Sequence, residues 1–170
     1  IVFNDVSKTG VTITEYDQSY DISADDINSQ WDTCLYASCG PTAKEALNTV
    51  MLYIVGDTAY IQFDGTLYWN GNSSNLFFNL FNLESIEGLE YVNTKYVGNT
   101  KYMFYNCSAL KELDLSMLNF SNLSSTFSMF ENCKSLNKLE LGVFDTSKVT
   151  DMSNMFDGCS SLIELDLSRS

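Results

Sequence analysis

From Met103 onward the apolar positions return at a fixed interval. Met103, Phe104, Cys107, Leu110, Leu113 and Leu115 are followed 26 residues later by Met129, Phe130, Cys133, Leu136, Leu139 and Leu141. The same set returns once more as Met155, Phe156, Cys159, Leu162, Leu165 and Leu167. A period of this length marks a solenoid, in which each copy is one coil and buries its apolar face only against its neighbours. Two shorter periods lie inside the coil. Leu113 and Leu115 flank Asp114, Leu139 and Leu141 flank Glu140, and Leu165 and Leu167 flank Asp166. That alternation predicts a short strand per coil, leucines inward and acids outward, stacked into a parallel sheet. On the other side of the coil, Met152, Met155 and Phe156 stand at i, i+3 and i+4, which predicts a short helix or 3₁₀ turn. Thr150 suits its cap, Asp151 its first turn and Gly158 its stop. One degraded coil precedes these, with Leu76, Phe77, Leu80, Leu83, Ile86 and Leu89 on the pattern after one inserted residue.

Residues 1–74 have a different pattern. Val11 and Ile13 alternate with Thr12 and Thr14 after a turn at Lys8-Thr9-Gly10, as in a strand. Ser23 and Asp26 open a helix whose Ile27, Trp31, Cys34 and Leu35 share a face, and Gly40 stops it. Pro41 begins a second helix. Strands are expected at 50–55, 58–63 and 66–70, with hairpin turns at Gly56-Asp57 and Asp64-Gly65. Asn70 to Asn75 forms the boundary loop. The expected fold is therefore an α+β N-terminal cap, residues 1–74, followed by an α/β solenoid of 26-residue coils, residues 75–170.

The stretch Phe144-Asp145-Thr146-Ser147-Lys148-Val149-Thr150-Asp151-Met152-Ser153-Asn154-Met155-Phe156-Asp157-Gly158-Cys159-Ser160-Ser161-Leu162 closely resembles the BspA-like leucine-rich repeat, also described as the Mycoplasma lipoprotein-associated repeat. The resemblance covers roughly residues 76–170 and fades upstream, where Ser124 to Ser128 and then Gly98 to Tyr102 depart from it. It implies a secreted or surface-anchored protein that adheres to host proteins or other cells. It implies no catalytic activity and carries no catalytic motif.

Charge narrows the partners. The formal net charge of −13 argues against nucleic acid and against anionic membrane surfaces. No stretch approaches the ~20 apolar residues of a membrane span. The chain has no histidine, which removes Ser-His-Asp and Cys-His chemistry and most zinc sites. Cys107, Cys133 and Cys159 read as small buried hydrophobes at a repeat position. Cys34 and Cys39 are a candidate disulfide if Leu35 to Ser38 leave the helix. Asp114, Glu140 and Asp166, flanked by Glu112 and Glu164, form an acidic strip that suits a basic partner or, through oxygen ligands, Ca²⁺. The alternative for that strip is a solvated sheet face.

The chain starts without an initiator methionine and stops at Ser168-Arg169-Ser170, after a strand and without a polar closing coil. An open coil fits a piece of a longer array or a subunit that stacks head to tail. The functional expectation is a non-catalytic extracellular recognition or adhesion module that binds a protein partner through the coils or the cap. The alternative is a self-assembling subunit of a surface fibre.

Overall fold

The computed structural model describes residues 1–5, 8, 51–55, 57–63, 65–163 and 165. The helices expected from Ser23 and Pro41, the strand at Val11 to Tyr16, and Cys34 and Cys39 lie outside these residues, as do Glu164, Asp166 and Leu167. Seven strands are described: β1 (Val2–Asp5), β2 (Met51–Val55), β3 (Thr58–Phe63), β4 (Leu67–Tyr68), β5 (Val92–Asn93), β6 (Glu112–Asn119) and β7 (Lys138–Val143).

The strands β1, β2 and β3 form one sheet in the order β1-β3-β2, with β1 parallel and β2 antiparallel to β3. The hairpin expected between β2 and β3 is present. The one expected at Asp64-Gly65 is not: Gly65 takes a left-handed φ of 95°, and the strand that follows does not return along β3. The strand β4 pairs parallel with β5 instead. The sheet is joined to the coils through β1. Phe3 donates to the Glu87 carbonyl at 2.8 Å, and Glu87 donates to Ile1 at 2.9 Å.

Downstream, the coils stack in parallel register. Asn72, Asn99, Ser125 and Asp151 bridge one to the next at the same corner. The strands β6 and β7 pair as Leu113 with Leu139 and Leu115 with Leu141. Phe77, Phe104, Phe130 and Phe156 form a continuous ring stack with centroids 5.0, 5.3 and 5.5 Å apart. Met103, Cys107, Leu110, Leu115, Met129, Cys133 and Leu136 fill the interior and are wholly buried. Burying such side chains stabilises the stack by about 1.5–3 kcal/mol each.

The expected α+β cap followed by an α/β solenoid is not the architecture found. Along the coils, among the described residues, there is no α-helix, only a 3₁₀ turn at Leu89–Tyr91, and the sheets there are short parallel pairs. The i, i+3, i+4 pattern therefore does not make a helix, and the backbone shows why. Thr100, Tyr102, Phe104 and Asn106 donate their N–H groups to the next coil, at Ser125, Phe127, Met129 and Glu131, over 2.8–3.0 Å. Met103 and Tyr105, between them, and Cys107, just after, donate to the residue three back, at 3.1 Å, and Lys101 donates to the Asn99 side chain. An α-helix needs every N–H aimed four residues back. Here alternate donors are committed across the coil boundary, and the segment becomes a train of turns. Two left-handed residues per coil turn the chain: Tyr102 and Asn106, Ser128 and Asn132, Asn154 and Gly158. The residues expected at a helix start have other partners. Thr150 Oγ1 donates to the Ser124 carbonyl at 3.2 Å, and the Asp151 carboxylate accepts from the Ser153 N–H at 3.1 Å. Met152, expected to face inward, is exposed.

Candidate functional site: the outer strand face and the cysteine column

On β6 and β7 the alternation places every charge outward. Leu113, Leu115 and Leu139 are buried, while Glu112, Asp114, Lys138 and Glu140 are exposed. Leu141 is half-buried. The register sets Glu112 opposite Lys138 and Asp114 opposite Glu140. Like charges stand across from each other at the second pair, which is unfavourable for the sheet alone. Two features offset it. Lys138 Nζ approaches Glu140 Oε1 at 3.7 Å. The Ser116 hydroxyl and N–H, the latter at 2.8 Å, hold the Asp114 carboxyl below the ordinary carboxylate value, with a smaller contribution from Lys138. The structure thus brings together Glu112, Asp114 and Glu140 and adds a lysine at their centre. Among the described residues no group of three or more acidic or sulfur ligands is arranged to hold a metal ion.

The same strands also expose two apolar side chains that the periodicity did not flag: Met117 is 71% exposed, and Val143, which pairs with Asn119, is 52% exposed. Tyr91, with Met117, Asp5, Lys8, Thr94 and Lys95, borders a cleft of about 400 Å³. A larger cleft, about 840 Å³, runs between Ile1, Thr58 and the turn Leu80–Glu84. None of these residues forms a nucleophile–base pair.

The cysteine column does more than fill space. Cys107, Cys133 and Cys159 are free thiols. Their S–H groups donate to the carbonyls of Phe77, Phe104 and Phe130 at 3.1, 3.1 and 3.0 Å, each in the preceding coil. Burial is the main cause that pushes the Cys107 thiol up to about 12, and it raises Cys133 and Cys159 as well. A thiol held protonated is neither a nucleophile nor a metal ligand. The unfolded chain releases these protons near 9.0, whereas the folded chain retains them. Stability should therefore be unaffected below pH 9 and should fall as pH rises from 9 toward 12. Peptide mapping after brief alkylation at neutral pH should find Cys159, which is half-exposed, labelled before Cys107 and Cys133. Equal labelling of all three would reject the buried column.

The described residues belong to a repeat protein of stacked, turn-rich coils, with charges outside and no assembled catalytic group. The chain belongs to the family described as Mycoplasma protein of unknown function, DUF285, whose model matches residues 72–169. No curated protein and no solved structure matches the chain. Among the described residues no helix is long and apolar enough to cross a membrane.

Proposed function

We propose that this chain is a non-catalytic recognition module of the BspA-like leucine-rich repeat type, acting outside the cell or on its surface and binding a basic protein partner. The observation that carries this reading is the division of labour across β6 and β7. The inward positions are spent on packing, and the outward ones present Glu112, Asp114 and Glu140 on a rigid parallel pair. Rigid, pre-set charge favours fast, selective encounter with a partner of opposite sign. Composition supports the location: the chain is low in Lys and Arg and strongly acidic. The double substitution Asp114→Lys with Glu140→Lys should lower the affinity for a basic protein such as a lysine-rich histone about tenfold or more and flatten its salt dependence. Titration calorimetry at two ionic strengths measures this, and an unchanged affinity rejects the strand face as the contact.

A further inference from the structure

The turn face, opposite the strands, carries a cluster of rings that the repeat pattern does not call for. Phe78 stacks on Tyr105 at 5.1 Å and 12°. Tyr102 stands edge-on to Tyr105 at 5.6 Å and to Phe127 at 5.2 Å. All four are half-buried, and none is sealed in the core. The left-handed position of Tyr102 is filled by Ser128 and Asn154 in the next two coils, with φ of 56°, 52° and 57°. Asparagine is at home in this conformation, whereas a bulky ring there is an outlier that costs stability. Strain kept where the same chain shows a cheaper residue points to a role for the ring.

Beyond the rings the face turns acidic. The carbonyls of Tyr105, Glu131 and Asp157 accept from Asn79, Asn106 and Asn132 at 2.8, 2.8 and 2.7 Å, so these three residues occupy one position in successive coils. The column along this face therefore reads Phe78, Tyr105, Glu131, Asp157: two rings, then two carboxylates. Lys101 lies in the neighbouring column with Phe127, and its charge acts on Asp151. Ring separations of 5–6 Å leave no cage between the rings for an ammonium group. They offer outer ring surface, suited to a flat cation that stacks.

We infer that this strip docks an arginine-bearing extended peptide segment of a partner protein. Guanidinium is planar and weakly hydrated, stacks on Tyr and Phe, and forks onto a carboxylate, whereas ammonium does only the last, as a point charge. Three coil steps of ~4.8 Å span roughly four residues of extended chain, so alternate arginines reach the rings and the carboxylates together. The chain's net charge of −13 draws such a segment in. This inference rests on the recognition reading but not on the strand face.

The test uses the whole chain and a fluorescent Gly-Arg-Gly-Arg-Gly-Arg-Gly peptide, read by anisotropy at physiological ionic strength. The arginine peptide should bind about three- to fivefold more tightly than its lysine counterpart. Tyr102→Asn should weaken it about fivefold while the protein stays folded, because relief of the left-handed strain offsets part of the lost ring contacts with Tyr105 and Phe127. Glu131→Gln with Asp157→Asn, which leaves the rings in place, should weaken it about threefold. Asp114→Lys with Glu140→Lys, on the other face, should leave it unchanged. Equal binding of the lysine peptide, or of a neutral proline-rich peptide, overturns the inference. So does Tyr102→Asn with full affinity. If only the strand-face variant loses binding, this inference fails and the recognition reading stands.

Discussion

Replacing Phe104 with alanine should lower the unfolding free energy by about 4 kcal/mol, close to the limit for a single core truncation. Phe104 is wholly buried and stacks on both sides, against Phe77 at 5.0 Å and Phe130 at 5.3 Å, with rings 11° and 3° from parallel. Truncation removes the transfer gain of a whole ring and leaves a cavity. It also breaks two aromatic pairs, each worth about 0.5–1.5 kcal/mol beyond the burial. Because every coil touches only its neighbours, the gap falls in the middle of the stack and separates the coils before it from those after it. Phe156→Ala is the control. It occupies the same repeat position but is half-buried and stacks on Phe130 at 5.5 Å. Its cost should be about half or less. Urea unfolding of both variants measures the contrast. Equal midpoints would mean that the ring column is not the spine of the stack.

The repeat itself is legible because burial in a stack imposes it on every coil. Leu113, Leu115 and Leu139 face inward and Asp114 and Glu140 outward, as period-two alternation requires. The strands β2 and β3 lie where turn residues bound them. The helix expected opposite the strands fails for a definable reason. Met103, Phe104 and Cys107 satisfy helical spacing because a train of turns with i−3 bonds also returns side chains to one face. Spacing reports which face is buried, not where alternate N–H groups go. A second signal for the turns is present in the sequence. Asn106, Asn132 and Gly158 recur at one position and Asn154 stands at another, and these are residue types that tolerate left-handed backbone. The cysteines are buried as small hydrophobes should be, but spacing alone does not reveal that they donate. A repeated Cys, rather than a repeated Ala or Val, fits a site that needs a small side chain with a weak donor for the Phe carbonyl one coil back. The aromatic strip is hidden from any search for agreement between coils, because Tyr102 registers there only as a departure from the repeat.

Gly142→Ala should cost about 3 kcal/mol or more, although it adds one methyl group to a strand. The pairing of β6 with β7 is broken by a bulge: Leu115 faces Leu141, yet Asn119 faces Val143. Three residues of β6, Ser116, Met117 and Leu118, thus arch over Gly142 alone. A Cβ there would meet the carbonyl oxygens of Leu118 at 2.5 Å, Ser116 at 2.6 Å and Leu115 at 2.8 Å. All three are backbone atoms and cannot swing aside as a side chain would, so the bulge must open or the register must slip. Ser116, the same position one coil earlier, is exposed, and its side chain has room to reach the Asp114 carboxylate. Gly71→Ala is the matched control, because its added Cβ would meet only the Tyr96 carbonyl, at 3.1 Å. It should cost far less. The functional consequence comes from the period of a strand. A slip of one residue turns Glu140 inward and Leu139 outward and dissolves the pairing of Asp114 with Glu140. Gly142→Ala should therefore lose affinity for a basic partner at the strand face while the arginine peptide on the turn face still binds. Thermal melting, with hydrogen exchange of the β6 and β7 amides, decides the structural half. A melting temperature equal to that of Gly71→Ala would show that the bulge has room for a side chain.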